Sequence, residues 1–135
     1  MTLEMNSGEG IIRAMKILVV DDELQMREVV EECLTITTNC VVVSAASGDD
    51  GLRLNDSERP DVMLLDMLMP GLSGFSVLEA VKDHPTHHRP RKIVAMSGIT
   101  DQETVKEIIR LGADFVLAKP FTLQELRSAC EASAR

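Results

Sequence analysis

The sequence predicts a doubly wound α/β domain built on a five-stranded parallel sheet, with a helix after each strand. Three observations carry this. Five short apolar runs recur along the chain, each too short for a helix and none alternating between apolar and polar residues, which suits strands buried on both faces. The segments between them carry apolar residues at three-to-four spacing, the mark of a helix with one face laid on a sheet. The length of 135 residues fits a single domain, since domains most often run roughly 100–150 residues.

The first run is KILVV (16–20), and after it Met26, Val29, Val30, Cys33 and Leu34 form the apolar stripe of a first helix. VVVSA (41–45) is the second strand. The segment 48–56 is less well patterned, with Leu52 and Leu54 alone, and predicts only a short helix. VMLL (62–65) is followed by MPGLSG, where Gly71 and Gly74 give the backbone freedom and Ser73 can cap a helix striped by Val77, Leu78 and Val81. A polar loop with two prolines, DHPTHHRPR (83–91), leads to IVAM (93–96); Val105, Ile108 and Ile109 follow, then FVLA (115–118). Thr100 with Glu103, and Thr122 with Glu125, have the capping-box spacing and place the starts of the last two helices. Right-handed crossovers complete the doubly wound form. Residues 1–14 are polar and contain Gly, so they read as a flexible N-terminal extension ahead of a domain spanning 15–135.

Composition excludes several functions. Lys plus Arg number 14 against 22 Asp plus Glu, a formal charge of −8, which repels nucleic acid and anionic membranes at long range. Direct binding to either is not expected. No stretch approaches the roughly 18 apolar residues of a membrane span, and the N-terminus has no basic-then-apolar leader, so the expected location is cytoplasmic. Cys33, Cys40 and Cys130 fit no CxxC or zinc spacing and read as reduced core or near-core thiols. With three Phe and no Tyr or Trp, aliphatic residues and eight Met must fill the interior.

The informative polar residues stand where the apolar runs stop. Asp21 and Asp22 end the first run, Asp66 the third, Ser97 the fourth and Lys119 the fifth. In an open parallel sheet these carboxyl-end positions converge on the binding crevice at the topological switch point. Three carboxylates there repel one another unless a cation is shared, and an all-oxygen ligand set favours Mg²⁺ over zinc. Lys119 and the Ser97 hydroxyl suit phosphoryl oxygens, and Asp66 can attack phosphorus to give an aspartyl phosphate. The histidines His84, His87 and His88 fall in the loop away from this crevice and read as solvated.

VVDDE, LLDMLMPGLSG, AMSG and LAKPF, in this order and spacing, resemble the receiver domains of bacterial response regulators, chemotaxis-regulator-like ones included, over about residues 15–135. The resemblance implies a flavodoxin-like strand order, 2-1-3-4-5. It implies that Asp66 is the phospho-acceptor, Asp22 and Asp66 are Mg²⁺ ligands with the Leu68 backbone carbonyl, and Asp21 acts largely through water. Ser97 is then the switch hydroxyl, Lys119 the phosphoryl partner, and Lys119–Pro120 a cis bond. The implied partners are a histidine kinase or phosphotransfer protein, a downstream protein target or output domain, and a homodimer formed on phosphorylation. Such a module is a signalling switch that catalyses only its own phosphorylation and slow autodephosphorylation, not an enzyme in the usual sense.

Two departures stand out. Many receivers carry an aromatic residue three places before the lysine; here it is Val116, and Phe115 one place earlier faces the other way. Leu68 and Ile99, two places after Asp66 and Ser97, can neither orient nor activate a water, so a long-lived phosphoryl group is expected. Among alternatives, a haloacid-dehalogenase-like phosphatase lacks its second acid, since Leu68 stands there. A degenerate receiver acting as a constitutive interaction surface is opposed by the intact Asp21, Asp22, Asp66 and Lys119. The chain ends at Arg135, soon after the last helical segment, consistent with either a stand-alone regulator or part of a longer one.

Overall fold

The structure is a computed structural model that describes residues 3–6, 10–37 and 39–131. Two short strands, β1 (Leu3–Asn6) and β2 (Gly10–Arg13), pair antiparallel as a separate two-stranded sheet, where the sequence suggested a loose extension. Residues 1, 2 and 7–9 of that extension, and 132–135 at the other end of the domain span, lie outside the described residues.

The main sheet holds β3 (Met15–Val20), β4 (Cys40–Ala45), β5 (Val62–Asp66), β6 (Lys92–Ser97) and β7 (Phe115–Ala118). All four pairings are parallel and the order is β4-β3-β5-β6-β7, which is 2-1-3-4-5 for the five strands. The helices are α1 (Leu24–Thr37), α2 (Gly48–Glu58), α3 (Gly74–Asp83), α4 (Gln102–Arg110) and α5 (Leu123–Cys130).

Strand alternation sends side chains to two cores. Leu18, Val20, Met63, Leu65 and Ile93 meet Val77, Leu78 and Val81 of α3 and Ile108 of α4, with Leu52 and Leu54 of α2 packed against them. Ile17, Val19, Val62, Leu64 and Val94 meet Val30 and Leu34 of α1 and Leu126, Ala129 and Cys130 of α5. The helices thus cover both faces. β5, central in the sheet, is buried along its whole length, but the edge strands β4 and β7 are half-exposed and depart from the expected burial on both faces.

Several local expectations are corrected. The N-cap of α4 is Asp101, not Thr100: its carboxylate accepts the Thr104 N–H at 3.0 Å and the Thr104 hydroxyl at 2.7 Å. A carboxylate at a helix start also meets the positive end of the helix dipole. The box at α5 forms as expected, with Thr122 and Glu125 each accepting from the other's backbone N–H. α2 runs a full eleven residues; its fully buried residues are Gly48, Gly51 and Asn55, which no search for apolar spacing detects. Val29 and Ile109 turn outward and leave their stripes.

His84 is exposed, as expected, but the other two loop histidines are not simply solvated. His87 and His88 are half-buried and bonded to the end of α2.

Candidate functional site

The sheet's hydrogen bonding continues past the strand ends and fixes the residues that follow. The Asp21 N–H donates to the Ala45 carbonyl at 3.1 Å, Met67 N–H to Met96 at 3.0 Å, and Lys119 N–H to Ser97 at 2.8 Å. Four neighbouring strands therefore deliver Asp21, Asp66, Ser97 and Lys119 to one end of the sheet. The Lys119–Pro120 bond is cis.

Asp21, Asp22 and Asp66 each bring a carboxylate oxygen to within 4.8 Å of the other two. Asp21 is wholly buried, Asp66 nearly so, and Asp22 is exposed at the rim. Lys119 Nζ lies 3.0 Å from Asp21 Oδ2 and 3.5 Å from Asp66 Oδ1. Asp21 Oδ1 accepts the Glu23 N–H at 2.9 Å, and the Arg27 guanidinium donates to the Asp21 carbonyl at 2.8 Å, so α1 braces this turn. Arg27 was not legible in the sequence, because a helical arginine gives no sign that it folds back onto the preceding strand end.

Burial, and then the charge of Asp21, push the Asp66 carboxyl up to about 6; the Leu68 N–H, 3.2 Å away, and Lys119 oppose the shift. Burial works against the charge on Lys119, but its bond and attraction to Asp21, then Asp66, raise its proton affinity above the usual lysine value. This crevice therefore holds an excess of negative charge that a single lysine leaves uncompensated. A hard, oxygen-seeking divalent cation fits that donor set.

Ser97 is buried at the end of β6, but its hydroxyl is turned into its own loop. It donates to the Ile99 carbonyl at 2.8 Å and accepts the Ile99 N–H at 3.0 Å. To serve the crevice it must exchange these partners. Leu68 and Ile99 are both substantially exposed, at 56% and 44%. Val116 is half-buried against the core on the side where β7 meets α4, while Phe115 is exposed on the edge strand.

Fold and site together define a phosphoryl-accepting switch domain, and comparison with known proteins agrees. The chain belongs to the response regulator receiver domain family, matched over residues 17–131. It is 30% identical over 123 residues to a probable chemotaxis protein CheY of Rhizobium etli, covering 91% of this chain and 95% of that one. It is 28% identical to a probable C4-dicarboxylate response regulator DctR of Bacillus subtilis, covering 86% of this chain but only half of that longer protein. Among solved structures, a Vibrio cholerae chemotaxis protein superposes with a TM-score of 0.78 at 29% identity, covering 86% of this chain and 95% of that one. The signal receiver domain of the putative response regulator NarL of Mycobacterium tuberculosis gives 0.78 at 30%, covering 87% and 94%.

The role that follows is phospho-acceptance in two-component signalling, by a switch domain and not a conventional enzyme. A histidine kinase upstream and a target downstream are the partners the family requires. Neither the dehalogenase-like nor the degenerate reading is supported. Among the described residues no helix is long and apolar enough to cross a membrane.

Proposed function

We propose that Asp66 is the phospho-acceptor. An Asp66 carboxylate oxygen attacks the phosphorus of a phosphohistidine on the kinase; the O–P bond forms, the N–P bond breaks, and the imidazole leaves. The observation that carries this is the placement of Asp66 within 3.5 Å of Lys119 and beside Asp21 and Asp22 at the carboxyl ends of the strands. Lys119 compensates charge on the transferring group, and Asp21, held by Glu23, Arg27 and Lys119, keeps the lysine aimed.

Asp22, Asp66 and the Leu68 carbonyl are the groups that would hold Mg²⁺, with Asp21 acting largely through water. When bound, Mg²⁺ supplies the positive charge shared between these carboxylates and phosphoryl oxygens. Ser97, once released from Ile99, donates its hydroxyl to a phosphoryl oxygen and passes the change to the α4–β7–α5 face, which meets the target or a second copy of the chain. Residues 15–135 act as the receiver unit, with 1–14 outside it, in a cytoplasmic setting.

Incubation with acetyl phosphate and Mg²⁺, wild type beside Asp66→Asn, tests the assignment. Hydroxylamine-labile label in the wild type and none in the variant is the expected result; equal labelling of the two overturns it.

A further inference from the structure

At the opposite end of the sheet, the loop from α3 to β6 forms a built turn. The His87 N–H donates to the His84 carbonyl at 2.9 Å, with Pro85 inside the turn to restrict its backbone. The His84 N–H in turn donates to Ala80 at 3.1 Å, which fastens the turn to the end of α3. His84 and His87 are thereby held as first and last residues of one tight turn.

The neighbours sort the three histidines by role. His87 Nδ1 lies 2.7 Å from Asp56 Oδ2, and the other Asp56 oxygen accepts the His88 N–H at 2.9 Å. A carboxylate oxygen accepts this bond, so Nδ1 is the His87 donor, and the neutral ring keeps its lone pair on Nε2. His88 Nε2 lies 2.7 Å from the Pro60 carbonyl, also acceptor-only, and Asn55 donates to the His88 carbonyl at 2.6 Å. His88 is thus a bracket between the loop and α2. His87 keeps 24% of its side chain exposed, His84 is exposed, and their ring centroids are 6.1 Å apart at 85°.

From this geometry we propose that the His84–His87 turn binds a borderline divalent transition ion, with the two imidazoles as ligands and Asp56 as the carboxylate that orients His87. A carboxylate on the far ring nitrogen fixes the tautomer and strengthens the ligand, the usual outer-shell arrangement at histidine metal sites. Two imidazoles bound to one tetrahedral ion at roughly 2.1 Å have centroids about 5 Å apart, against 6.1 Å here, so binding requires the exposed His84 ring to turn and move towards His87. Nitrogen ligands select Zn²⁺, Ni²⁺ or Cu²⁺ over Mg²⁺, and water completes the shell. The loop lies at the amino ends of the strands, whereas Asp66 ends β5 at their carboxyl ends, so the two cations do not compete for ligands. Binding would clip the α3–β6 loop to α2 through Asp56.

Calorimetric titration of the whole chain with Zn²⁺, in saturating Mg²⁺ to occupy the acidic crevice, tests this. One equivalent should bind the wild type, with affinity falling roughly tenfold or more in His84→Gln and about 10–100-fold in Asp56→Asn. His84 is exposed, so its replacement leaves the fold intact, which circular dichroism checks. No saturable binding to the wild type overturns the proposal. So does unchanged affinity in His84→Gln, which would assign the ion to the thiols or the carboxylates.

Discussion

Lys119 sits closer to Asp21 than to Asp66, 3.0 Å against 3.5 Å, and Asp21 is the acid with no exposure at all. The lysine therefore compensates a buried structural carboxylate before it serves the reactive one. Breaking a buried pair from one side costs about 3–5 kcal/mol, less where solvent reaches one partner, as it does for Lys119. Lys119→Ala should lose about 1–3 kcal/mol in the metal-free protein, read by urea unfolding. Stability within about 0.5 kcal/mol of wild type would show that the pair carries no such weight.

Asp66 should have the opposite effect. Its carboxyl is raised from 3.8 to about 6, so the folded state binds the proton more tightly than the unfolded chain does. Such a group favours folding most below pH 4 and loses that contribution as pH rises towards 6 and beyond. At pH 7.5 the metal-free protein then carries a penalty of up to about 3 kcal/mol from this one carboxylate. Asp66→Asn should raise the melting temperature in chelator at pH 7.5, lose that advantage near pH 4, and lose much of it when Mg²⁺ restores the wild type. An equal gain at both pH values would point to packing and not to charge.

The strands and the acidic crevice were legible because both are written in residue types. A parallel strand is a solid apolar run, and a site at strand ends is whatever polar residue stops the run, as Asp66 stops VMLL. What stayed hidden depends on direction and proximity. Ser97 occupies the expected place, yet its hydroxyl closes on Ile99, a choice of rotamer and not of sequence. The length of α2 was masked because Gly51 exists to admit Val20, where an added Cβ would sit 2.9 Å from Val20 Cγ1. Thr100 and Asp101 are both good caps, and only the entry angle of the chain decides between them. The bonds of His87 and His88 to Asp56 of α2 join residues 31 and 32 positions apart, beyond any local pattern.

Leu68 and Ile99 both present apolar side chains to solvent, at 56% and 44% exposure. Neither has a group that can hold a water in line with an aspartyl phosphate. The phosphoryl group on Asp66 should therefore be long-lived, and Leu68→Asn, which adds a donor and an acceptor, should shorten its lifetime roughly tenfold. Decay of purified phosphoprotein after removal of the donor is the measurement. Wild-type decay as fast as that of the variant, or faster, overturns this account of Leu68.

Gly74 ties the reactive end of β5 to the start of α3. A Cβ there would lie 2.4 Å from the Asp66 carbonyl oxygen and 2.6 Å from Met67 Cα, so the obstacle is backbone on the strand that carries the acid. Neither neighbour can yield by rotating a side chain. The helix must retreat or the strand end must shift, and either moves Asp66 relative to Lys119. Gly74→Ala should cost about 1–3 kcal/mol despite alanine's better helix propensity, which argues for a gain of about 1 kcal/mol in an open helix. Labelling by acetyl phosphate should fall as well, at pH values where the variant is still folded. Gly98 is the control for a bare Gly-to-Ala effect beside the crevice, since a Cβ there meets nothing within 4 Å. Gly98→Ala should leave labelling within about a factor of two of wild type, as expected of a substitution away from packed features. If Gly74→Ala behaves the same way, the close approach of α3 to Asp66 does not set the geometry of the acid.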